Sequence, residues 1–326
     1  AIAGNHDSPE RIEAPVPLAK ACGIVLVGFP YTIPTPFSLS GGFELTKVDR
    51  GFLELTLPTI PFPLRILLTP YANEMRLKEY LGNNDAIALN ETLARHWRSL
   101  SDKYCDEKGV NILLAHLLMT SDENAIPQEP EDEKSINYIG GASAVLTSSI
   151  PPQIQYTALG HLHRKQILAE NAAPVAYSGS ILEYSFSEAH QQKYVIVIEA
   201  VPQKPVDLTF IPLQKGFKLK RATFDDEQKA IEWLQKNRES FIELTFRTET
   251  YLEATLKKRF LEANPRIVHL IPSLMQKDTE KSSSEKSIDP QKHIHELFIE
   301  YFKHKKNQEP NTELMQLFQE IINFDA

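Results

Sequence analysis

The sequence predicts a layered α/β protein followed by a smaller α/β domain and a pair of short helices. Three observations predict this. Apolar runs of strand length alternate with a stretch of helical period up to about Val201. Beyond Pro205 the texture changes to a tighter alternation of strands and helices. At 326 residues the chain is also too long for one ordinary domain. The expected divisions are residues 1–203, 204–274 and 275–326.

Taken in order, Ala1-Ile2-Ala3 reads as the end of an apolar strand and Gly4-Asn5-His6-Asp7 as the turn that follows. Ser8-Pro9-Glu10 reads as a helix start, with Ser8 at N-cap and Pro9 where its missing N–H costs nothing. Gly23–Gly28, Phe52–Leu57 and Leu64–Thr69 read as strands between Pro- and Gly-rich turns. From Asp85 to Lys108 the pattern is helical: Leu89, Leu93, Trp97, Leu100 and Tyr104 recur at steps of three or four, and Gly109 is placed to end the helix. Asn111–Ala115 follows as a strand. The acidic stretch at Ser121–Lys134 has no periodicity and reads as a loop. Gln155–Leu159 and Tyr194–Val201 read as strands. Then come a strand (Leu208–Pro212), a helix (Asp226–Lys236), a strand (Ser240–Arg247), a helix (Tyr251–Glu262) and a strand (Arg266–Ile271). Lys277–Ser287 is a charged, Ser-rich linker.

Two amphipathic helices close the chain. Asp289-Pro290 starts the first, and Pro310 falls in the turn between them. Ile294, Leu297, Phe298, Tyr301 and Phe302 share one face, and Leu314, Leu317, Phe318, Ile321 and Ile322 repeat the spacing. Such short helices need something to pack against, either each other or a partner. Leu297, Phe298, Leu317 and Phe318 are the candidate partner-binding residues.

Composition narrows the function. A net charge of −8 counts against a protein that holds nucleic acid by a blanket of positive charge, but not against a local basic groove or a metal that receives phosphate. One basic cluster, Lys215, Lys218, Lys220 and Arg221, opens the second domain as a candidate for tracking a DNA backbone, or as a solvated face. Cys22 and Cys105 are far apart in sequence and suggest no disulfide framework or thiolate metal site, which favours a reducing, cytoplasmic setting. No apolar run reaches membrane-spanning length, and no signal segment opens the chain.

Three apolar runs end alike: "AIAGNHD", "NILLAHLL" and "QYTALGHLH". Each finishes in a small residue followed by a side chain able to bind metal. In open α/β sheets the ligand site lies beyond the carboxyl ends of the strands, so these turns have a common place to meet. An extended segment would point His161 and His163 to one face. Imidazoles with an amide oxygen suit Mn²⁺, Fe²⁺ or Zn²⁺. Each motif alone has a plainer reading: a surface His pair, a hydrogen-bonded core histidine, simple turn chemistry. Three together favour a metal site.

"GNHDSPER", "LLAHLL" and "ALGHLHRKQ" resemble the third to fifth motifs of calcineurin-like metallophosphoesterases, and "VAYSGSILEYSFSE" resembles the segment after them in the SbcD family of double-strand-break-repair nuclease subunits. The resemblance implies a metallophosphoesterase-type sandwich, two β-sheets flanked by helices, with a capping domain and a helix pair. Asn5, His116 and His161 would bind one metal and His163 another, His6 would be the catalytic histidine, and Asp7 would orient a neighbour or cap the next helix. It implies two Mn²⁺ ions, with Mg²⁺ or Fe²⁺ as alternatives. The activity would be 3′→5′ exonuclease on DNA duplex ends and endonuclease on single strands and hairpins, in repair, recombination and replication. An SbcC-type ATPase would be the partner, in a heterotetramer built on a homodimer of the nuclease domain. The family's Asp-x-His and Gly-Asp motifs do not precede Gly4. The expectation is therefore a chain lacking its first strand–helix units, with weak activity alone. Alternatives are a phosphatase or cyclic-nucleotide phosphodiesterase of the same fold, or an inactive docking subunit.

Overall fold

Parallel strands with a common carboxyl end form the half of the main sheet that matters for function. The structure, a computed structural model, describes residues 1–77, 85–122, 144–170, 173–248, 252–274 and parts of 297–318. The chain divides into two units, Ala1–Leu274 and Met275–Ala326.

The main sheet has eight strands. Phe37–Ser38 (β1), Glu44–Asp49 (β2), Phe52–Leu57 (β3) and Ile60–Thr69 (β4) form an antiparallel meander. Val110–His116 (β5) then lies parallel to β4. Met119–Thr120 (β6) and Val145–Leu146 (β7) form a small separate pair. Tyr156–Gly160 (β8) lies parallel to β5, with His116 opposite Gly160. Gln166–Ala169 (β9) closes the edge antiparallel to Val175–Tyr177 (β10), which is itself parallel to β8.

A helix covers one face. After Pro9–Glu13 (α1), Val16–Ala21 (α2) and Glu74–Leu77 (α3), Asp85–Tyr104 (α4) packs Leu89, Leu93, Trp97 and Leu100 onto Leu67 and Leu113. Trp97 is 1% exposed, and its indole N–H donates to Thr69 Oγ1 at 2.9 Å. Against another part of the sheet packs the hairpin of Tyr194–Glu199 (β11) and Asp207–Pro212 (β12), through Ile196, Ile198 and Leu208 onto Tyr156 and Ala176. The mixed α/β layer, a large sheet flanked by helices, is consistent with a metallophosphoesterase fold.

Beyond β12, Lys218–Phe224 (β13), Ser240–Thr248 (β14) and Ile267–Leu274 (β15) make a three-stranded parallel sheet. The helices Glu227–Lys236 and Ala254–Ala263 pack on one of its faces through Ala230, Leu234, Phe260 and Ala263. Asp226 caps the first by accepting from Lys229 N at 2.8 Å.

Several expected elements differ. Gly23–Gly28 is not a strand, because its only ladder among the described residues is one parallel bridge from Val27 to Ile2. α4 ends at Tyr104 rather than Lys108: the next residues turn to meet Arg65, whose guanidinium takes the Asp106 carboxylate at 2.6 Å and its carbonyl at 3.3 Å. Gly109 serves close approach instead of capping, since a Cβ there would lie 2.8 Å from Pro63 O. The helix expected from Tyr251 begins at Ala254. β2 and β13 have no counterpart among the expected strands, because edge and near-edge strands with polar faces carry weak alternation. Leu208–Pro212, read as the first strand of the second domain, pairs with β11. Ser121 and Asp122 of the acidic loop are described; the rest of it, the Lys277–Ser287 linker, Asp289-Pro290, Ile294, Ile321 and Ile322 lie outside the described residues.

Candidate metal centre

Topology brings the three motif turns together. Ala3 N donates to Val27 O and Tyr71 N donates to Ala3 O, both at 3.0 Å, so the N-terminal segment runs beside the chain leaving β4. His116 ends β5, and His161 follows β8. Two of the turns lie at the carboxyl ends of the neighbouring strands β5 and β8, whereas Ala1–Ala3, expected as a strand end, makes only a single bridge from Ile2 to Val27 and is fixed beside them by these backbone bonds.

The Asn5 turn is held from both sides. Asp7 Oδ2 accepts Gly4 N at 2.7 Å, and Ser8 caps α1 by accepting from Arg11 N. Arg76, on α3, donates to the carbonyls of Gly4 (2.8 Å), Asn5 (3.2 Å) and Asp7 (2.8 Å) and lies 5.1 Å from the Tyr71 ring. Three charge-assisted bonds from one guanidinium fix this turn. After His116, the buried Tyr177 hydroxyl donates to Leu117 O and accepts from Met119 N, each at 2.7 Å.

Asn5 Oδ1 lies 3.2 Å from His116 Nε2 and 3.4 Å from His161 Nδ1. An amide oxygen has no proton to give, so each contact needs an imidazole N–H or a cation between the lone pairs. Donors at neighbouring positions around a first-row dication, with ligand bonds of about 2.0–2.2 Å, sit about 3–3.5 Å apart. The two imidazole rings meet edge to face at 5.5 Å. Gly4 and Gly160 make room for His116 itself: a Cβ on Gly4 would come within 2.7 Å of the ring, and one on Gly160 within 2.9 Å. Gly160→Ala is expected to push His116 off Asn5 and weaken divalent-cation binding about tenfold or more, read by calorimetry; an unchanged affinity would remove this role for the glycine.

His161 is the strained member, with φ of 109° in a non-glycine residue. Its Nε2 is buried and has no hydrogen-bond partner among the described residues. Orphaned buried polar atoms are rare and ask for an explanation, and a metal ion is one. Burial pushes both His116 and His161 far below the ordinary histidine range, to about 4, so both rings are neutral and have a lone pair to offer. Among the described residues no three His, Cys, Asp or Glu side chains gather as a complete cage. The assembled donor set is two imidazoles and an amide.

These lowered values set a pH dependence for the metal-free protein. A histidine whose folded pKa lies below its unfolded value contributes full stability above about pH 6.5, and this is lost as pH falls toward 4. With two such groups the slope should approach about 2.7 kcal/mol per pH unit inside that window. Urea midpoints from pH 7.5 to 4.5 test it, and His116→Gln should roughly halve the slope; an identical slope in the variant would contradict it.

His163 is held differently. Its Nδ1 lies 3.2 Å from Glu188 Oε1, so a proton on Nδ1 puts the ring's lone pair on Nε2. Glu188 is fully buried and also pairs with Lys193 Nζ, accepts Ser180 Oγ at 3.2 Å and accepts Tyr184 N at 3.3 Å. Burial pushes this carboxyl up, but the bonds from His163 and Lys193 outweigh it and hold it below the usual glutamate range. Lys193 Nζ also donates to His163 O at 3.0 Å. The sequence motifs mark neither Glu188 nor Arg76 as a site residue. Glu188 lies inside "VAYSGSILEYSFSE", 25 residues after His163, and was the available signal; Arg76 had none.

His6 is exposed and, with Asn5, Asp7, His116, His161 and His163, lines a cleft of about 370 Å³. Asp7 bonds its own turn, and Ser8 does the capping. The basic cluster does not form one patch. Successive residues of β13 face opposite sides, so Lys218 and Lys220 share one face and Arg221 takes the other; Lys220 Nζ donates to Asn237 Oδ1 (2.5 Å), and Arg221 Nε donates to Glu243 Oε1 (2.6 Å). In the C-terminal unit Phe298 and Phe318 stack on each other at 3.9 Å, while Tyr301 and Leu317 are exposed.

One edge of a parallel α/β sheet thus gathers Asn5 from the N-terminal turn with histidines from the ends of β5 and β8, an arrangement consistent with a metallophosphoesterase fold. No protein-family model matches the chain. It is similar to the SbcD subunit of the nuclease SbcCD of Bacillus subtilis (strain 168), 28% identical over 335 residues, covering 99% of this chain and 78% of that protein. It is also similar to the SbcD subunits of the nucleases SbcCD of Staphylococcus epidermidis (27% over 213 residues) and Staphylococcus saprophyticus (28% over 215 residues). Each of those matches covers 65% of this chain and 48% of the staphylococcal protein. Similarity along the whole chain supports an SbcD-type nuclease.

Proposed function

We propose that the chain is a DNA nuclease subunit that hydrolyses phosphodiesters at the cleft around Asn5, His6, His116, His161 and His163. The observation that carries this is the meeting of Asn5 Oδ1 with two neutral imidazoles, one of them holding an orphaned, buried Nε2. The relatives are named as SbcD subunits of the nuclease SbcCD, which supports DNA as the substrate and an SbcC protein as the partner.

Asn5, His116 and His161 would hold one divalent cation, and His163 would face a second. Bound there, such ions supply Lewis acidity and a water that ionises near neutral pH. Neutral nitrogen donors with an amide oxygen suit Mn²⁺, Fe²⁺ or Zn²⁺ better than Ca²⁺, and among these the resemblance to the metallophosphoesterases makes Mn²⁺ the ion proposed. The chain's own residues do the rest. Arg76 and Asp7 hold the Asn5–His6 turn rigid, Glu188 fixes the tautomer of His163, and His6, exposed in the cleft, gives a proton to the leaving 3′ oxygen.

The finer reading is 3′→5′ exonuclease on duplex ends and endonuclease on single strands and hairpins, in repair, recombination and replication. We assign the C-terminal unit to the SbcC-type ATPase, through exposed Leu317 and Tyr301 together with Leu297. No helix among the described residues is long and apolar enough to cross a membrane.

The test is Mn²⁺ titration by calorimetry, paired with cleavage of a labelled hairpin. Mn²⁺ binding that His161→Gln abolishes, with cleavage that EDTA stops, is the expected result. Binding that survives both His116→Gln and His161→Gln would overturn the site.

A further inference from the structure

We propose that a second cleft, beside the histidine site, takes an unpaired nucleobase of the strand being cut; this rests on the proposed nuclease reading. The cleft has a volume of about 790 Å³ and is lined by Tyr184, Phe186, Leu219, Phe241, Val268 and the Arg221–Glu243–His269 group. That volume falls in the range, about 300–1,000 Å³, of sites for small ligands.

Tyr184 links the two places, because it lines both clefts. Tyr184 is 60% exposed as a residue, an unusual position for a large aromatic. The ring is nevertheless held in place: it meets the His163 ring at 5.4 Å, and its backbone N–H donates to buried Glu188. Across the cleft Phe241 is 36% exposed, and Phe186 lies 5.3 Å from His269. This wall is the face of the β13–β15 sheet opposite its two helices.

Charge decides which part of a nucleotide belongs here. Among the described residues, every charged group lining the cleft already has a partner. Glu243 takes Arg221 at 2.6 Å and His269 at 3.0 Å, and Glu183 accepts Leu219 N at 2.6 Å. The described lining therefore leaves no unpaired cation to receive a phosphate, whereas exposed aromatic and aliphatic surface suits a neutral, planar base. A phosphate at His6 puts the neighbouring base within reach of Tyr184. A base paired in a duplex has both faces stacked, so only a frayed, looped or single-stranded end offers one.

The experiment uses the full chain in EDTA, so that nothing is cut, with 12-mer DNA carrying 2-aminopurine at one of its last three nucleotides. Binding is followed by anisotropy and stacking by fluorescence quenching. The expected result is quenching at one of these positions on single strands. Tyr184→Ala should abolish it and weaken single-strand binding about tenfold or more, while leaving blunt-duplex binding unchanged. Tyr184→Phe should keep the quenching, and Phe241→Ala should reduce it. Full quenching in both alanine variants, or equal weakening on single strand and duplex, would overturn the base site and leave the nuclease reading intact. A chain that binds neither DNA would overturn both.

Discussion

Glu188→Ala is expected to destabilise the fold by about 3–5 kcal/mol. Glu188 is fully buried and Lys193 is 4% exposed, so removing the carboxylate strands an ammonium out of water. Lys193 keeps only His163 O at 3.0 Å and Gln191 Oε1 at 3.4 Å among the described residues, and neither neutralises it. His163 loses the group that orients its ring at the same time, and loss of such a partner typically lowers metal affinity about 10–100-fold. Urea unfolding and Mn²⁺ calorimetry would measure the two effects separately. Glu188→Gln keeps the shape and some hydrogen bonds, so it should cost less stability than alanine. An alanine variant within about 1 kcal/mol of the parent would mean that Lys193 has another way to be solvated.

His6→Ala is expected to do the opposite: it should leave stability and metal binding alone and lower turnover about 10²–10⁴-fold. His6 is exposed and stands outside the Asn5–His116–His161 group, so its removal opens no cavity and takes away no assembled donor. The loss should appear in kcat rather than KM, because the proton is needed only as the leaving oxygen departs. If His6→Ala abolished Mn²⁺ binding instead, His6 would be a ligand and the assignment of the proton donor would fall.

Local chemistry that the chain spells out by itself was legible in the sequence. Ser8-Pro9 starts a helix because the cap and the missing N–H are properties of adjacent residues. β3, β5 and β8 follow from short apolar runs, and α4 from apolar residues spaced for one helical face. The meeting of His116 and His161 could be anticipated because their motifs close β5 and β8, and parallel strands share a carboxyl end; Asn5 joins them from a segment that makes only one bridge.

What only the tertiary structure decided depends on partners distant in the chain. Gly23–Gly28 is as apolar as the true strands, but a strand exists only where a neighbour completes its ladder. The spacing of Lys218, Lys220 and Arg221 suggests one basic patch, yet the pleat sends Arg221 to the face opposite the two lysines, where Glu243 pairs with it, while Lys220 donates to the Asn237 amide. Gly4 and Gly160 make room for the His116 ring, which arrives from β5 rather than from their own segments. Glu188 reads as one acid in a polar segment until burial with His163 and Lys193 gives its charge a purpose. Arg76 lies 69 residues from Asp7 and clamps it through backbone carbonyls, which every residue has. No sequence pattern marks an interaction whose acceptor is the main chain, so its geometry emerges only once the chain is folded.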